Sequence, residues 1–276
     1  MPTADAHVHF FRDGYAGTLG PPADARDDLA AYEQLRRHHG IARSLVIGYE
    51  AEPRYRDNNA HVLERARTRP WMAVAAYLPV EPPPTPDALR ALRADGAVGF
   101  AIYLPDPVSA DALRAWPVET LAELREQRAV VSLNVRPEAA ERIAGVIDAL
   151  EGCAILVSHL GLPGPFPEPP TAGQARERLS ALIVLSARAH VAVKLSGLYA
   201  ISDPAHDYPH AAAQPFVDVV LEAFGPARLL WGSDYTPALD FVSFAQTADA
   251  RILAACSPGE LEDVMGGNLL RLLGGE

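Results

Sequence analysis

Thr3-Ala4-Asp5-Ala6-His7-Val8-His9-Phe10 is an apolar, strand-like run in which polar side chains recur at every second position. In an extended chain, residues two apart share a face, so Asp5, His7 and His9 are expected to point the same way. Two later runs end in a similar manner, one at Ser158-His159-Leu160-Gly161 and the other at Trp231-Gly232-Ser233-Asp234. Each sets a group fit for metal binding or proton transfer where an apolar stretch stops. Only a closed or tightly wound fold would gather groups so far apart in sequence. Such a gathering implies an enzyme.

Similar apolar, β-branched-rich runs continue along the chain, at residues 3–10, 44–49, 72–78, 98–104, 129–135, 154–159, 190–197 and 228–234. Amphipathic patterns of helical period lie between them, at 26–39, 58–69, 85–94, 113–128, 137–150, 174–189 and 212–224, with a last one at 258–273. Several helical patterns end on glycine, as at Gly40, Gly96, Gly152 and Gly225, where a left-handed cap is expected. The strands are continuously apolar, not alternating, which reads as a parallel sheet buried on both faces. Eight βα units favour an α/β fold of the (β/α)8 TIM-barrel type, one domain over residues 1–276, above an open doubly wound sheet. No glycine-rich turn follows the first strand, so dinucleotide binding has no support. The proline-rich stretches 81–86 and 163–170 read as surface loops, since strand–helix alternation resumes after each.

Composition narrows the partners. The 276 residues are 49% hydrophobic, enough for a large core, yet no apolar stretch is long enough to span a membrane. A net charge of −11 argues against nucleic acid, which calls for a basic face. The expected partner is a small-molecule substrate, and association into a homo-oligomer is compatible with the sequence. The chain enters its first strand directly, without a targeting peptide, and Cys153 and Cys256 show neither metal-site nor disulfide spacing. A cytoplasmic location is expected.

Strands of a barrel converge at their C-terminal ends, where catalytic groups collect. His7 and His9 fall near the end of the first strand, His159 ends the sixth and Asp234 the eighth. The first and eighth strands are neighbours in a closed barrel, which brings Asp234 to the histidine pair. Imidazoles and a carboxylate suit one divalent ion such as zinc, or acid–base chemistry without a metal. Structural roles are open to each: satisfied core histidines, a strand-capping His159, or Asp234 as an N-cap. Lys194, the only lysine, is in phase with Ser196 and should point into the barrel. There an ion pair in the barrel floor is the expected role, with a substrate contact as the alternative. Residues 199–210, rich in Tyr, His and Asp, would overhang the site as a lid or specificity loop. Tyr49, Glu50 and Tyr103 stand at strand ends where a pocket wall would form.

Asp-Ala-His-Val-His, Ser-His-Leu-Gly, Val-Lys-Leu-Ser-Gly-Leu and Arg-Leu-Leu-Trp-Gly-Ser-Asp-Tyr-Thr-Pro, in that order, resemble the signatures of the amidohydrolase superfamily. More narrowly they resemble its amidohydrolase-2 family, which includes sugar-lactone hydrolases, 2-pyrone-4,6-dicarboxylate lactonase and metal-dependent decarboxylases. The closing Gly266-Gly267-Asn268-Leu269-Leu270-Arg271-Leu272-Leu273 is similar to the end of that family, so the resemblance runs from Asp5 to Leu273. It implies a distorted (β/α)8 barrel in which His7, His9 and Asp234 hold a metal or His7 and His9 hold the substrate carbonyl. It also implies Asp234 as the activator of the attacking water and His159 as a contact to substrate or metal. Of the family, the lactonase-like branch resembles this chain most.

Two positions depart from the family pattern. The fifth strand, Val130-Val131-Ser132-Leu133-Asn134-Val135, lacks the histidine that many metal-dependent relatives place there, so any ion is expected to be held less firmly. The fourth, Gly99-Phe100-Ala101-Ile102-Tyr103, has Ala101 where an arginine often follows Gly-Phe, which disfavours a dicarboxylate substrate. A carboxylate-gripping fork would have to come from Arg12, Arg54 or Arg136. The expected activity is hydrolysis of a lactone or related cyclic ester, with Tyr49, Tyr103, Arg136, Lys194 and Tyr199 as candidate substrate contacts. The alternatives are a metal-dependent decarboxylase on the same barrel and a non-catalytic binding protein. Retention of Asp234 with both histidines argues against the last.

Overall fold

The computed structural model describes residues 3–17 and 27–274. Eight strands form one parallel sheet in sequential order: β1 (Thr3–Val8), β2 (Ile41–Ile47), β3 (Met72–Tyr77), β4 (Ala97–Leu104), β5 (Val130–Val135), β6 (Ala154–Val157), β7 (Val191–Leu195) and β8 (Leu229–Trp231). Between them run α1 (Asp28–His38), α2 (Asn58–Ala66), α3 (Pro86–Ala94), α4 (Pro107–Arg114), α5 (Val118–Glu126), α6 (Pro137–Ala140), α7 (Ala144–Ala149), α8 (Ala172–Arg178), α9 (Ser180–Leu185) and α10 (Gln214–Phe224). After β8 come α11 (Phe244–Thr247), α12 (Pro258–Glu262) and α13 (Asn268–Leu272), the last two joined by a π turn at Asp263–Gly267. The expected (β/α)8 barrel is the fold. No helix among the described residues is long and apolar enough to cross a membrane.

Several expected helices are broken. The pattern over 113–128 is two helices divided at Pro117, whose missing N–H and fixed φ stop α4 and start α5. The patterns over 137–150 and 174–189 are likewise pairs of short helices. Arg26, expected to open the first helix, lies outside the described residues; α1 is capped by Asp27, whose carboxylate accepts from Ala30 N at 2.9 Å. The last strands are shorter than their apolar runs, so His9, His159 and Asp234 sit just beyond strand ends.

Buried residues fall into two layers. A large outer layer joins strands to helices. A small inner one holds Ala4, Ala6, Leu45, Ile47, Ala73, Ala75, Ala101, Val130, Leu156 and Leu230. Alanines in that inner set leave room for polar side chains at the opposite end of the lumen. Leu269 of α13 packs into the same inner layer, and Asn268 Nδ2 donates to Leu229 O at 2.7 Å and to Pro226 O at 2.8 Å. The motif closing the sequence is therefore the plug at the N-terminal end of the barrel.

The first strand departs from simple alternation. Asp5 pairs with Ser44 and Val8 with Val46, so three residues of β1 oppose two of β2. This bulge inverts the parity of the strand. Ala4 and Ala6 face the lumen before it, and Val8 and Phe10 belong to the outer layer after it. Asp5 consequently does not share a face with His7 and His9, contrary to the expectation from spacing. Its Oδ2 accepts from the Tyr32 hydroxyl of α1 at 2.9 Å, and that hydroxyl also contacts Ser44 Oγ at 2.8 Å. Asp5 Oδ1 accepts from Ser233 N at 2.8 Å and His7 N at 3.1 Å, across the seam between β1 and β8. Asp234 N to His7 O at 2.9 Å and His9 N to Tyr235 O complete that seam.

Tyr32→Phe leaves one oxygen of a fully buried carboxylate short of a donor. The expected loss is about 1–3 kcal/mol, read as a lower urea midpoint at unchanged slope. A variant as stable as the parent would show that the clamp does not hold the seam.

Candidate active site

The bulge turns His7 and His9 toward the C-terminal end of the lumen. His9 Nδ1 lies 2.9 Å from Ile47 O. A carbonyl only accepts, so the His9 proton sits on Nδ1 and its Nε2 offers a lone pair. That Nε2 is 3.0 Å from His7 Nε2. An N–H on His7 Nε2 can donate to the His9 lone pair; with the His7 proton on Nδ1 instead, both Nε2 atoms offer lone pairs to a metal ion.

Asp234 faces the pair from just past β8, with Oδ1 3.7 Å from His7 Nε2 and 3.8 Å from His9 Nε2. A point equidistant from these three atoms lies about 2.0 Å from each, the length of a zinc–nitrogen or zinc–oxygen bond. All three groups are buried, and they are a cluster able to hold a metal ion. The donor set fits one divalent ion.

His159 completes the floor: its ring centroid is 4.5 Å from that of His7 and its Nδ1 3.9 Å from Asp234 Oδ2. Both His159 (φ 53°) and Asp234 (φ 56°) occupy the left-handed region, a conformation costly for side-chain-bearing residues and held by the surrounding structure. Two glycines make the approach possible. A Cβ on Gly232 would stand 2.8 Å from His7 Cβ, and one on Gly197 would stand 2.5 Å from His159 Nδ1. These are the glycines of the Trp-Gly-Ser-Asp and Leu-Ser-Gly-Leu motifs.

Burial sets the charges. It pushes the His9 imidazolium down to about 4 and His159 to about 3, and holds His7 well below the usual range, with the Lys194 ammonium adding to the effect on His7. Near neutral pH the rings are uncharged, the state a metal ligand requires. Burial also raises the Asp234 carboxyl to about 6, against the pull of His9, Tyr199 and Lys194. The Tyr199 hydroxyl donates to Asp234 Oδ2 at 2.8 Å, while its ring stacks on Phe241 at 4.8 Å. Oδ2 is thus tethered and Oδ1 turned to the histidines.

Lys194 points into the lumen as its phase required, but the expected ion pair is not formed. Its Nζ donates to Ser132 Oγ at 2.7 Å and lies 3.2 Å from His7 Nδ1, with no carboxylate in ion-pair range among the described residues. It stands behind His7 on β7, and burial lowers its ammonium to about 7. Asn134 is partly exposed two residues further along β5. The loop over 199–210 is tied down internally. Phe166 N donates to Ile201 O at 2.8 Å, His210 Nδ1 meets Ser202 Oγ at 3.1 Å, and the Tyr208 hydroxyl bonds Asp249.

Beside the histidines opens a cleft of about 200 Å³ lined by His9, Phe11, Tyr15, Ala16, Tyr49, Glu52, Tyr55, Tyr103 and Pro237. Tyr49 and Tyr103 are on its wall, as their strand-end positions indicated. Arg136 is not: it is exposed at the start of α6. Phe11, Tyr15, Glu52 and Tyr55 were not singled out by the sequence. Their only signal was aromatic residues placed just after β1 and β2.

An eight-stranded parallel barrel with two histidines and an aspartate gathered at its C-terminal end defines a barrel hydrolase site. The chain belongs to the amidohydrolase family, whose model matches residues 4–275, and it is a hydrolase. It is 26% identical over 249 residues to an L-fucono-1,5-lactonase of Burkholderia ambifaria, covering 84% of this chain and 79% of that protein. It is 28% identical over 259 residues to an L-fucono-1,5-lactonase of Burkholderia multivorans, covering 88% and 85%. Among solved structures, an amidohydrolase of Burkholderia multivorans with bound zinc superimposes with a TM-score of 0.79 at 23% identity, over all of both chains.

Calorimetric titration of metal-depleted protein with zinc is expected to give about one equivalent. His9→Ala and Asp234→Ala should each weaken binding at least about tenfold. Two equivalents, or unchanged binding in both variants, would show that these atoms are not the site.

Proposed function

We propose that this protein is a lactonase, opening a lactone or related cyclic ester with water activated by Asp234. The observation that carries the reading is one buried carboxylate, tethered by Tyr199, facing the His7–His9 pair at the mouth of the lumen. The two relatives named as sugar lactonases support it. His7, His9 and Asp234 would hold the ion, zinc by ligand type. Bound there, a divalent ion supplies Lewis-acid polarisation of the carbonyl and acidifies water.

The chain's own groups do the rest. Asp234 takes a proton from the water aimed at the carbonyl carbon, and its low-dielectric surroundings make it a stronger base than a solvated carboxylate. His159 contacts the carbonyl oxygen as charge gathers on it. The hydroxyl adds to carbon, the ring carbon–oxygen bond breaks, and protonated Asp234 returns its proton to the departing alkoxide. Water is thereby divided across the opened bond, giving a hydroxy acid. Decarboxylation on the same frame would need a firmly held metal ion to grip the substrate carboxylate, and the fifth strand lacks the histidine that would strengthen the site. No lysine or arginine lines the cleft among the described residues.

Asp234→Asn preserves side-chain size and removes basicity. Turnover of the lactone that the native protein hydrolyses is expected to fall at least about a hundredfold, with folding judged by circular dichroism little changed. A folded variant with near-native turnover would assign the base to another group.

A further inference from the structure

The cleft beside His9 has a chemical character that the hydrolytic machinery does not require. Its wall is a continuous run of aromatic rings. Phe11 and Tyr55 are 4.2 Å apart between centroids, Phe11 and Tyr15 5.6 Å, Tyr49 and Tyr55 5.7 Å, and Tyr49 and Tyr103 5.1 Å. Such faces carry negative quadrupoles and pack against the C–H faces of rings; they offer a carboxylate nothing. The one charged side chain lining the cleft among the described residues is Glu52, itself an anion.

None of the arginines that the sequence nominated to grip a carboxylate lines the cleft, and the one at its edge, Arg54, is held by Glu52. Arg12 pairs with Asp13 at 3.4 Å. Arg54 pairs with Glu52 at 2.8 Å and lies over the Tyr55 ring at 5.5 Å. Arg136 is exposed at the start of α6. On the fourth strand Ala101 faces the lumen, fully buried, and carries no group that could hold a carboxylate.

One polar atom of the wall is left over. The Tyr103 hydroxyl is buried and has no hydrogen-bond partner among the described residues. Tyr103 stands on β4, across the lumen from β8 and Asp234. A buried hydroxyl without a partner is costly to leave, and a ligand oxygen reaching it relieves that cost.

We propose that this cleft selects an uncharged ring and rejects its carboxylated counterparts, the aromatic wall taking the apolar face of the ring and the Tyr103 hydroxyl one of its oxygens. The inference rests on the lactonase reading for its substrate, but the recognition it describes does not depend on turnover. The test therefore uses ligands that cannot be hydrolysed: a 1,5-anhydroalditol, which has the ring of a sugar lactone without the carbonyl, and the same ring carrying a carboxylate on its exocyclic carbon. Both are titrated calorimetrically into the zinc-loaded protein.

The neutral ring is expected to bind at least about tenfold more tightly than the carboxylated one. Tyr103→Phe, which keeps the ring and the fold, should weaken the neutral ligand about five- to tenfold while zinc stoichiometry stays unchanged and the melting temperature does not fall. Tyr49→Leu should weaken it as well. Equal binding of the two ligands, no detectable binding of either, or full affinity in Tyr103→Phe overturns the proposal. Selective binding of the neutral ring by a protein that opens no lactone would refute the hydrolytic reading alone.

Discussion

The Asp5 carboxylate is the constraint on which the rest of this structure depends. Eight strands in sequence order form a sheet, but β8 is only three residues long, and the bridge to β1 joins Val8 to Tyr235 beyond its end. Closure relies on a side chain acting where ladder hydrogen bonds are missing. Asp5 accepts two backbone N–H groups, one from each edge, and a hydroxyl from α1 that fixes the helix over the seam. A carboxylate has the lone pairs to do this and an amide or hydroxyl does not. Burial raises Asp5 to about 6 even with these donors in place, a measure of how dry the seam is.

The same few residues aim the chemistry. The bulge between Asp5 and Val8 allows one strand to send Asp5 to the outer layer and His7 and His9 to the lumen. Asp234 then follows directly from the seam, because its N–H bonds the His7 carbonyl. The Asp234 carboxylate and the histidines are therefore set relative to one another by backbone hydrogen bonds. Gly232 and Gly197 belong to this construction, since any side chain there would occupy the space of His7 or His159.

Around this rigid floor the electrostatics are of one kind. Uncharged imidazoles, a desolvated carboxylate and a buried lysine share a small volume, and each shifts in the direction that burial dictates. Lys194, on β7, reaches across to Ser132 of β5 and contacts His7 from behind. The adjoining cleft is different in character, built largely from aromatic residues that follow β1 and β2. The histidines and Asp234 stand at strand ends, and most of the cleft's lining comes from the loops above them.

Much of this was legible in the sequence. Eight continuous apolar runs separated by helical patterns leave few alternatives to a parallel barrel, because such strands must be covered on both faces. His7, His9, His159 and Asp234 stand at run ends, and convergence of strand C-termini brings them together whatever the loops do. Other features were decided only in three dimensions. Strict alternation put Asp5 with the histidines, and a one-residue register shift, which depends on the neighbouring strand, moved it to the opposite face. Lys194 had a predictable direction but not a predictable partner, since Ser132 and His7 are far from it in the chain. Arg136 was near a strand end yet turned to solvent, and Pro117 divided a helix whose apolar period was unbroken. The periodicity of a chain specifies which elements form and which way they face; register and the contacts of long side chains are set by neighbours distant in sequence.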